Sequence, residues 1–572
     1  MPEGTSPATA ASLALLSELT ARGLRDVVVS PGSRSQALAL AAAALETAGA
    51  LTVHVRIDER SAAFFALGLA VETGVPAAVI TTSGTAVANL HPAVLEAHHS
   101  MVPLILLTGD RPSELRGIRS NQTTRQPGMF ASAVRLERDV EAPTGSAADV
   151  RRARDLAAEA MAAAAGDSLS GAGPVHLNLA FREPLSSALP PVEIERALGE
   201  ATSSRSTESD AAPATPARRP RVLLERGPRT VVIAGHAAGP AAEELAHAGG
   251  WPLLAEVTSG SRYGRNLVVP YRVLLREPEL GGRIERAIVF GHPTLSREVP
   301  ALLQREDVEV VVVAPHGDDV YDPGRTARAV SAASVAEGAA DRAWLGAWIV
   351  AARELLAAAD LDAAPSLEDG HSHDPEARLR FAKTEFEAVR APVDRARLVD
   401  AVWRATWPHD RLVLAASRLI READTRVLGK KIRVHANRGL AGIDGTIATA
   451  HGMATASQRE SDIGVTRVLL GDLALLHDVG SLLGGHDEPW PRLQLIVGND
   501  RGGTIFDGLE VAASADRTAF DRVQYTPHDV DIAALATAYH WDHVRAVTRI
   551  QLDQALTSPR DRPVIIEVPL ER

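Results

Sequence analysis

The chain has 572 residues, 45% apolar and 23% charged, enough material for several buried cores rather than one. It holds no cysteine, which excludes a disulfide framework, a thiolate metal site, an iron–sulfur cluster and a thiol nucleophile. A formal net charge of −12, with no Lys/Arg stripe interleaved with aromatics, argues against a nucleic-acid binder.

Lysine occurs only as Lys383, Lys430 and Lys431, all in polar stretches outside any predicted strand, so a Schiff-base lysine is not expected. The other 57 basic residues are arginines, and a single arginine therefore carries little information. No apolar run approaches the ~20 residues that span a bilayer. Met1 to Ala8 lacks the basic-then-apolar pattern of a secretory signal, so a cytoplasmic location is expected.

Along the chain the dominant pattern is strand, glycine-rich or polar turn, helix. Asp26 to Ser30 reads as a buried strand, Pro31 to Ser35 as a turn, and Gln36 to Leu45 as an alanine-rich helix. Leu51 to Ile57 is the next strand, followed by a turn at Asp58 to Ser61 and a helix over Ala62 to Glu72. Ala77 to Thr81, Leu104 to Thr108 and Val175 to Leu179 continue the series. Thr202 to Pro216 has linker composition. A second set of strands follows at Thr230 to Ala234, Arg286 to Phe290 and Val308 to Ala314, and Asp360 to Glu376 reads as another linker. The third set comprises Leu412 to Ala415, Arg433 to Ala436, Thr466 to Gly471, Gln494 to Val497 and Val564 to Val568. The expected architecture is α/β, with three Rossmann-like domains built on parallel sheets at residues 1–186, 221–360 and 385–572. Linkers at 187–220 and 361–384 would join them.

In open parallel sheets, ligands bind beyond the carboxyl ends of the strands. Val468-Leu-Leu-Gly-Asp472 ends one strand in a carboxylate, with a helix-like Leu473 to Leu483 after it. Leu493 to Asp500 ends another in Asn499 and Asp500, followed by Gly502-Gly503. If these strands are neighbours, Asp472, Asp500 and the carbonyl of Gly502 could hold Mg²⁺ beside a phosphate, which the adjacent helix N-terminus would favour. The same spacing also suits Asp472 as a plain N-cap and Asn-Asp as a surface turn. Glu59 lies just past a strand, ahead of Ser61 as a possible N-cap. Thr81-Thr-Ser-Gly-Thr85 resembles a phosphate-cradling turn. Gly235-His-Ala-Ala-Gly239 lacks dinucleotide spacing and reads as a tight turn. His98-His99 has no third ligand at metal spacing, and His371 and His373 fall in linker composition.

Taken jointly, Gly471-Asp472, Asn499-Asp500 and a strand-end Glu in a separate N-terminal domain resemble the thiamine diphosphate enzymes. Within them the chain looks like the 2-succinyl-5-enolpyruvyl-6-hydroxy-3-cyclohexene-1-carboxylate synthase family of menaquinone biosynthesis. The resemblance rests on Ser30-Pro-Gly-Ser-Arg-Ser35, Asp58-Glu-Arg-Ser-Ala-Ala-Phe-Phe-Ala-Leu-Gly68, Thr81-Thr-Ser-Gly-Thr-Ala86, Gly109-Asp-Arg-Pro112 and Asn121-Gln122. In the last domain it rests on Asn437-Arg-Gly-Leu-Ala-Gly-Ile-Asp-Gly445, Gly471-Asp-Leu473 and Gly502-Gly-Thr-Ile-Phe506. The middle domain matches mainly at Pro293-Thr-Leu-Ser-Arg297.

The resemblance implies a transferase with the thiamine diphosphate-binding fold. It implies a pyrimidine-binding first domain and a diphosphate- and metal-binding third domain. The implied reaction is decarboxylation of 2-oxoglutarate, then 1,4-addition of the four-carbon acyl carbanion to isochorismate. Cofactor-binding residues would be Glu59, Thr82, Gly84, Ile443, Gly471, Asp472, Leu473, Asp500, Gly502 and Ile505. Mg²⁺ or Mn²⁺ would sit on Asp472, Asp500 and Gly502. Glu59 would hydrogen-bond the aminopyrimidine ring nitrogen, and Ile443 would be the apolar wedge that bends the cofactor. The family usually offers Asn where this chain has Asp500, so Asn499 becomes the second ligand if the loop shifts by one.

Both substrates are dicarboxylates. Ser33, Arg34, Arg111, Asn121, Gln122, Arg297, Ser417, Arg421 and Arg438 occupy the family's substrate-facing positions, with Phe506 and Leu509 as apolar walls. Arg34, Gln122, Arg421 and Arg438 join Glu59 as the implied catalytic set. A homodimer or homotetramer with sites shared between subunits is implied as well. The rival readings are an acetohydroxyacid-synthase-like enzyme or decarboxylase, and a non-catalytic nucleotide-binding α/β protein.

Overall fold

The computed structural model describes residues 4–166, 170–207, 219–317, 319–358, 366–459 and 463–572. Every ladder in the described sheets is parallel. The first sheet contains β1 (Asp26–Val29), β2 (Thr52–Val55), β3 (Ala77–Thr81), β4 (Leu104–Asp110), β5 (Leu136–Val140) and β6 (Pro174–Ala180), in the order β2-β1-β3-β4-β6-β5. Its central strands are continuous apolar runs because both faces are covered; β4 is buried along its whole length. Alternate residues serve opposite faces. Val27, Val29, Ile105 and Leu107 pack with helices Pro7–Ala21, Gln36–Thr47 and Ala147–Ala165. Val28, Val79, Leu104 and Leu106 pack with helices Glu59–Thr73 and His91–His99.

The second sheet follows after β7 (Arg221–Leu224). It contains β8 (Thr230–Ala234), β9 (Leu253–Ala255), β10 (Arg286–Phe290), β11 (Glu309–Val313) and β12 (Arg328–Val330), in the order β12-β11-β10-β8-β9. β13 (Ala332–Val335) pairs with β7 as a separate ribbon. The third sheet contains β14 (Arg411–Leu414), β15 (Arg433–His435), β16 (Thr466–Gly471), β17 (Leu493–Asn499), β18 (Asp542–Arg545) and β19 (Val564–Pro569), in the order β15-β14-β16-β17-β19-β18. Among the described residues no helix is long and apolar enough to cross a membrane.

The chain divides into two compact units, neither of them contiguous. One comprises Met1–Ala217, Gly439–Ser461 and Asp478–Pro491; the other comprises Arg218–Arg438, Asp462–His477 and Arg492–Arg572. Part of the segment expected to belong with the third sheet thus groups with the first. The reason is a close helix pair. Ten consecutive residues of Glu59–Thr73, Ser61 to Ala70, are buried, the signature of a helix enclosed on all sides. Helix Thr446–Ser457 packs on it so tightly that a Cβ at Gly68 would stand 2.0 Å from the Thr449 carbonyl, and one at Gly452 would stand 2.1 Å from that of Phe65. At the entry to the second helix Gly445 has φ +64°, and a Cβ there would meet the Phe64 ring. The Glu96 carboxylate accepts from Gly439 N and Leu440 N at 2.8 and 2.9 Å. Asp478 accepts from Ile447 N and Ala448 N at 2.8 and 3.2 Å.

Several expectations are corrected. The helix expected from Ala62 starts at Glu59, because Asp58 and not Ser61 is its N-cap, accepting from Arg60 N at 2.9 Å. Ser61 is buried and pairs with the Ser481 hydroxyl at 2.8 Å. The stretch expected as a linker from residue 187 contains helix Pro191–Thr207, whose Ile194 and Ala197 enter the first core. Residues 202–207 of the Ser/Thr-rich run belong to that helix, and 208–216 lie outside the described residues. Of the second expected linker, 360–365 lie outside the described residues; the rest holds helix Leu367–His371 and the start of Pro375–Arg390. The signals were Ser366 and Asp374 as N-caps and Pro375 in the first turn. The helix expected over Leu473 to Leu483 is Asp472–His477 followed by a 3₁₀ turn, Val479–Leu482, with the break at Asp478.

Replacing Gly452 by Ala is expected to destabilise the protein by about 1–3 kcal/mol, because neither backbone at the crossing can move aside cheaply. Gly199 lies inside helix Pro191–Thr207 with open space around its would-be Cβ. Its change to Ala should stabilise by about 0.5–1 kcal/mol. Thermal unfolding midpoints that fail to move in opposite directions for the two variants would contradict the described packing.

Candidate functional site

In the first unit the polar residues converge where β1, β3 and β4 end side by side. A Cβ at Gly32 would overlap the Thr82 side chain, and one at Gly109 would stand 2.9 Å from the Arg34 carbonyl, so these turns are in contact. Arg34 N donates to Thr82 Oγ1 at 3.3 Å, and its Nη1 donates to the Phe181 carbonyl, just past β6, at 3.0 Å. Gly84, at φ +80°, donates to the buried Gln126 Oε1 at 2.9 Å. Arg111 is buried; its Nη1 donates to the Gln122 carbonyl at 2.6 Å and to the Ser83 hydroxyl. Gln122, itself at φ +52°, donates to the Ser83 carbonyl at 3.1 Å.

Arg34, Thr82, Gly84, Arg111 and Gln122 are therefore brought together, with Ser33 and Asn121 exposed at the margin. Burial and, next, the charge of Arg34 hold the Arg111 guanidinium below its ordinary pKa. Among the described residues neither arginine forms an ion pair, so two cations share one edge of the sheet without a carboxylate partner. Such an arrangement takes an anion. Glu59 opens its helix, half-buried, and accepts from Asn89 Nδ2 at 3.3 Å. Ile443 is half-buried in the turn before helix Thr446–Ser457.

In the second unit β16 and β17 are neighbours with Gly471 opposite Gly498, which sets Asp472 and Asn499 level. The two asparagine and aspartate side chains then part company. Asn499 is the last residue of β17, and its Nδ2 donates to Glu567 Oε1 on β19 at 2.8 Å. Asp500 turns to Arg395, 2.7 Å away, and to the Thr504 hydroxyl. Asp472 is buried; its Oδ1 accepts from Leu473 N at 2.7 Å, and its Oδ2 accepts from Gly502 N at 2.9 Å and lies 3.1 Å from His528 Nε2. Burial and then the charge of Asp500 raise the Asp472 pKa. The charge of Asp500 disfavours the ionised form of Asp472, and a cation would relieve that.

Among the described residues no group of three or more His, Asp or Glu could hold a metal. The expected set has only two carboxylates and a carbonyl. Gly502 fits such a set sterically, since a Cβ there would stand 2.6 Å from the Tyr525 carbonyl and 2.7 Å from its ring. The donors are all hard oxygens, which suits Mg²⁺. Gly471, Leu473 and Ile505 flank them half-buried, with Phe506 half-buried and Leu509 exposed beyond.

Ser417 caps helix Arg418–Arg426, accepting from Leu419 N at 3.2 Å, and Arg421 Nη1 donates to the Ser417 carbonyl at 3.0 Å. Burial and then the charge of Arg272 lower the Arg421 pKa. Arg438 is buried and held by Thr294: Nε donates to Thr294 Oγ1 at 2.9 Å and Nη2 to the Thr294 carbonyl at 3.1 Å. Arg297, expected to face substrate, is exposed and paired with Glu510 at 2.6 Å. It stands in an ion pair that an incoming carboxylate would have to displace. Arg395, His528, Tyr525, Gln126 and Thr294 were not singled out in the sequence. None belongs to a recognisable motif except Thr294, which lies inside Pro293-Thr-Leu-Ser-Arg297.

Residues 10–133 match a family model described as the N-terminal TPP binding domain of thiamine pyrophosphate enzymes. Over its whole length the chain is 60% identical to a 2-succinyl-5-enolpyruvyl-6-hydroxy-3-cyclohexene-1-carboxylate synthase of Leifsonia xyli subsp. xyli, across 98% of that relative. It is 56% identical to the enzyme of the same name from Clavibacter michiganensis subsp. michiganensis, across 100% of this chain and 97% of the relative. The synthase of a Mycobacterium species is 37% identical across 99% and 97%.

Proposed function

The chain belongs to the 2-succinyl-5-enolpyruvyl-6-hydroxy-3-cyclohexene-1-carboxylate synthase family of thiamine diphosphate enzymes, and on that basis we propose that it decarboxylates 2-oxoglutarate and adds the remaining four-carbon unit to isochorismate in menaquinone biosynthesis. The observation that supports this most directly is the pair Arg34 and Arg111, two cations with no carboxylate partner beside Gln122. Planar guanidinium forks suit the carboxylates of both substrates.

When bound, thiamine diphosphate supplies an acidic carbon and a ring that accepts the electron pair left as carbon dioxide departs. The chain's own residues bind, orient and keep the site dry. Glu59 holds a proton for the aminopyrimidine ring nitrogen. Thr82 and Gly84 support that end, Ile443 props the cofactor from its apolar side, and Gly471, Leu473 and Ile505 flank the diphosphate. Asp472, Asp500 and the Gly502 carbonyl hold Mg²⁺ or Mn²⁺. Asp500 is preferred to Asn499 as the second ligand because the Asn499 amide is committed to Glu567. Ser33, Arg34, Arg111, Asn121, Gln122, Ser417, Arg421 and Arg438 receive the dicarboxylates, Arg297 joins them on release from Glu510, and Phe506 and Leu509 exclude water. The first sheet is read as the pyrimidine-binding domain and the third as the diphosphate-binding domain, with the second between them in sequence. The protein is read as a cytoplasmic homodimer or homotetramer whose sites are shared between subunits.

Carbon dioxide release from 2-oxoglutarate, dependent on thiamine diphosphate, tests the activity. Glu59→Gln should keep the fold and lose most of the exchange rate of the cofactor C2 proton, measured by NMR; a near-wild-type rate would remove Glu59 from its role. Asp500→Ala should weaken Mg²⁺-dependent thiamine diphosphate binding at least about tenfold, the scale of a lost charged contact. Asp500→Asn and Asn499→Ala should change it little. The reverse ranking would make Asn499 the ligand. Mixing Glu59→Gln protein with Asp472→Ala protein under subunit exchange should restore activity, because shared sites leave one site intact per heterodimer. A mixture that stays inactive would mean that each site is built within one chain.

A further inference from the structure

Apart from Arg297, which follows β10, the second sheet has no part in the chemistry assigned above, yet its strand ends reach two further arginines. Glu256 directly follows β9 and is 1% exposed. Its Oε1 accepts from Thr294 N and Leu295 N, both at 2.7 Å, and so pins the turn after β10. That turn is the one whose Thr294 holds Arg438 through both its hydroxyl and its carbonyl. The next residue, Val257, donates its N–H to Asp424 Oδ1 at 2.9 Å, and Asp424 lies on the helix that carries Arg421. Tyr271 donates to the other Asp424 oxygen at 2.6 Å. Among the described residues, the Oε2 of Glu256, the hydroxyl of Thr258 and the Nδ1 of His236 are buried without a hydrogen-bond partner. A purely structural turn does not need a carboxyl group with one idle oxygen in a dry interior, because burying it is expensive.

We propose that Glu256 is a positioning residue that sets Arg438, through Thr294, to receive a substrate carboxylate. This rests on the reading of Arg438 as a substrate residue given above. The ionisation state of Glu256 matters to the arrangement. Burial, and then the charge of Asp424, push its carboxyl up to about 8, against the pull of the Leu295 and Thr294 N–H groups and of Arg438. The other groups facing it are Arg262, Tyr271 and Tyr321, all of which feel its charge. The raised pKa favours the neutral acid, whose Oε1 holds the turn without drawing on the charge of Arg438. Above its pKa it becomes an anion facing that guanidinium and competes with the substrate carboxylate for it.

Glu256→Gln keeps an oxygen acceptor for the two N–H groups and removes the proton equilibrium. It should retain kcat/KM at neutral pH and lose the alkaline fall in kcat/KM expected of the wild-type protein. Thr294→Val keeps the side-chain volume but deletes the acceptor for Arg438 Nε. It should raise KM for one of the two dicarboxylates about tenfold, with thiamine diphosphate affinity unchanged. Circular dichroism and thermal midpoints establish that both variants are folded. An alkaline limb unchanged in Glu256→Gln, or a normal KM in Thr294→Val while Arg438→Ala is impaired, would overturn this inference and leave the role of Arg438 standing. A normal KM for both substrates in Arg438→Ala would remove the substrate reading of Arg438, and this inference with it.

Discussion

Parallel pairing is the constraint on which the rest of the structure depends. When all strands of a sheet run the same way, every turn that leaves a strand's carboxyl end emerges on one edge. In the first sheet that edge gathers Arg34 after β1, Thr82 and Gly84 after β3, and Arg111 after β4. In the third it gathers Ser417 after β14, Arg438 after β15, Asp472 after β16 and Asp500 after β17. The buried strands can be chemically uniform because the polar side chains stand in the two or three residues past each strand. Side chains from distant parts of the sequence come within hydrogen-bond reach with no strand departing from regular geometry.

What the sequence reveals follows from the same division of labour. Central strands are dominated by apolar residues, so Ala77–Thr81, Thr230–Ala234, Arg286–Phe290 and Thr466–Gly471 are legible to the residue. The edge strands β2 and β15 are read as well, but the edge strands β5 and β18 are not. β5 reads Leu-Glu-Arg-Asp-Val and β18 reads Asp-His-Val-Arg, because each has a neighbour on one side only and needs no continuous apolar run. Helix Pro191–Thr207 was hidden because its second half is serine- and threonine-rich, while the residues that fix it, Ile194 and Ala197, are too few to show a period. The candidate site residues were singled out where a motif carried them. Their supports, such as Gln126, Tyr525, His528 and Glu256, were not, because a residue that braces another is chosen by the geometry of its neighbour and leaves no spacing to read.

The abundance of arginine is also resolved by its partners. Arg262 is buried, and its Nε, Nη1 and Nη2 donate to the carbonyls of Ala255, Asp424 and Val427. A guanidinium with its donors spent on backbone oxygens is a structural strut, joining the second sheet to the helix that bears Arg421. Arg421 by contrast gives one hydrogen bond, to the carbonyl of Ser417. The same side chain in the same acidic protein is a brace in Arg262, and in Arg421, among the described residues, keeps most of its N–H groups uncommitted.

The two units interleave along the chain, and this bears on how the protein is made. The helix pair that closes the first unit needs Thr446–Ser457, yet its other member, Glu59–Thr73, is finished long before. Between Ala217 and Gly439 the ribosome must add the whole second sheet. At about 5–20 residues per second that is an interval of roughly 10–45 s. Throughout it, the glycine-notched face around Gly68 is apolar and without its partner. At that stage the nascent chain presents an apolar helix face that the finished protein buries, and the face gains its partner only when the segment beginning at Gly439 leaves the exit tunnel.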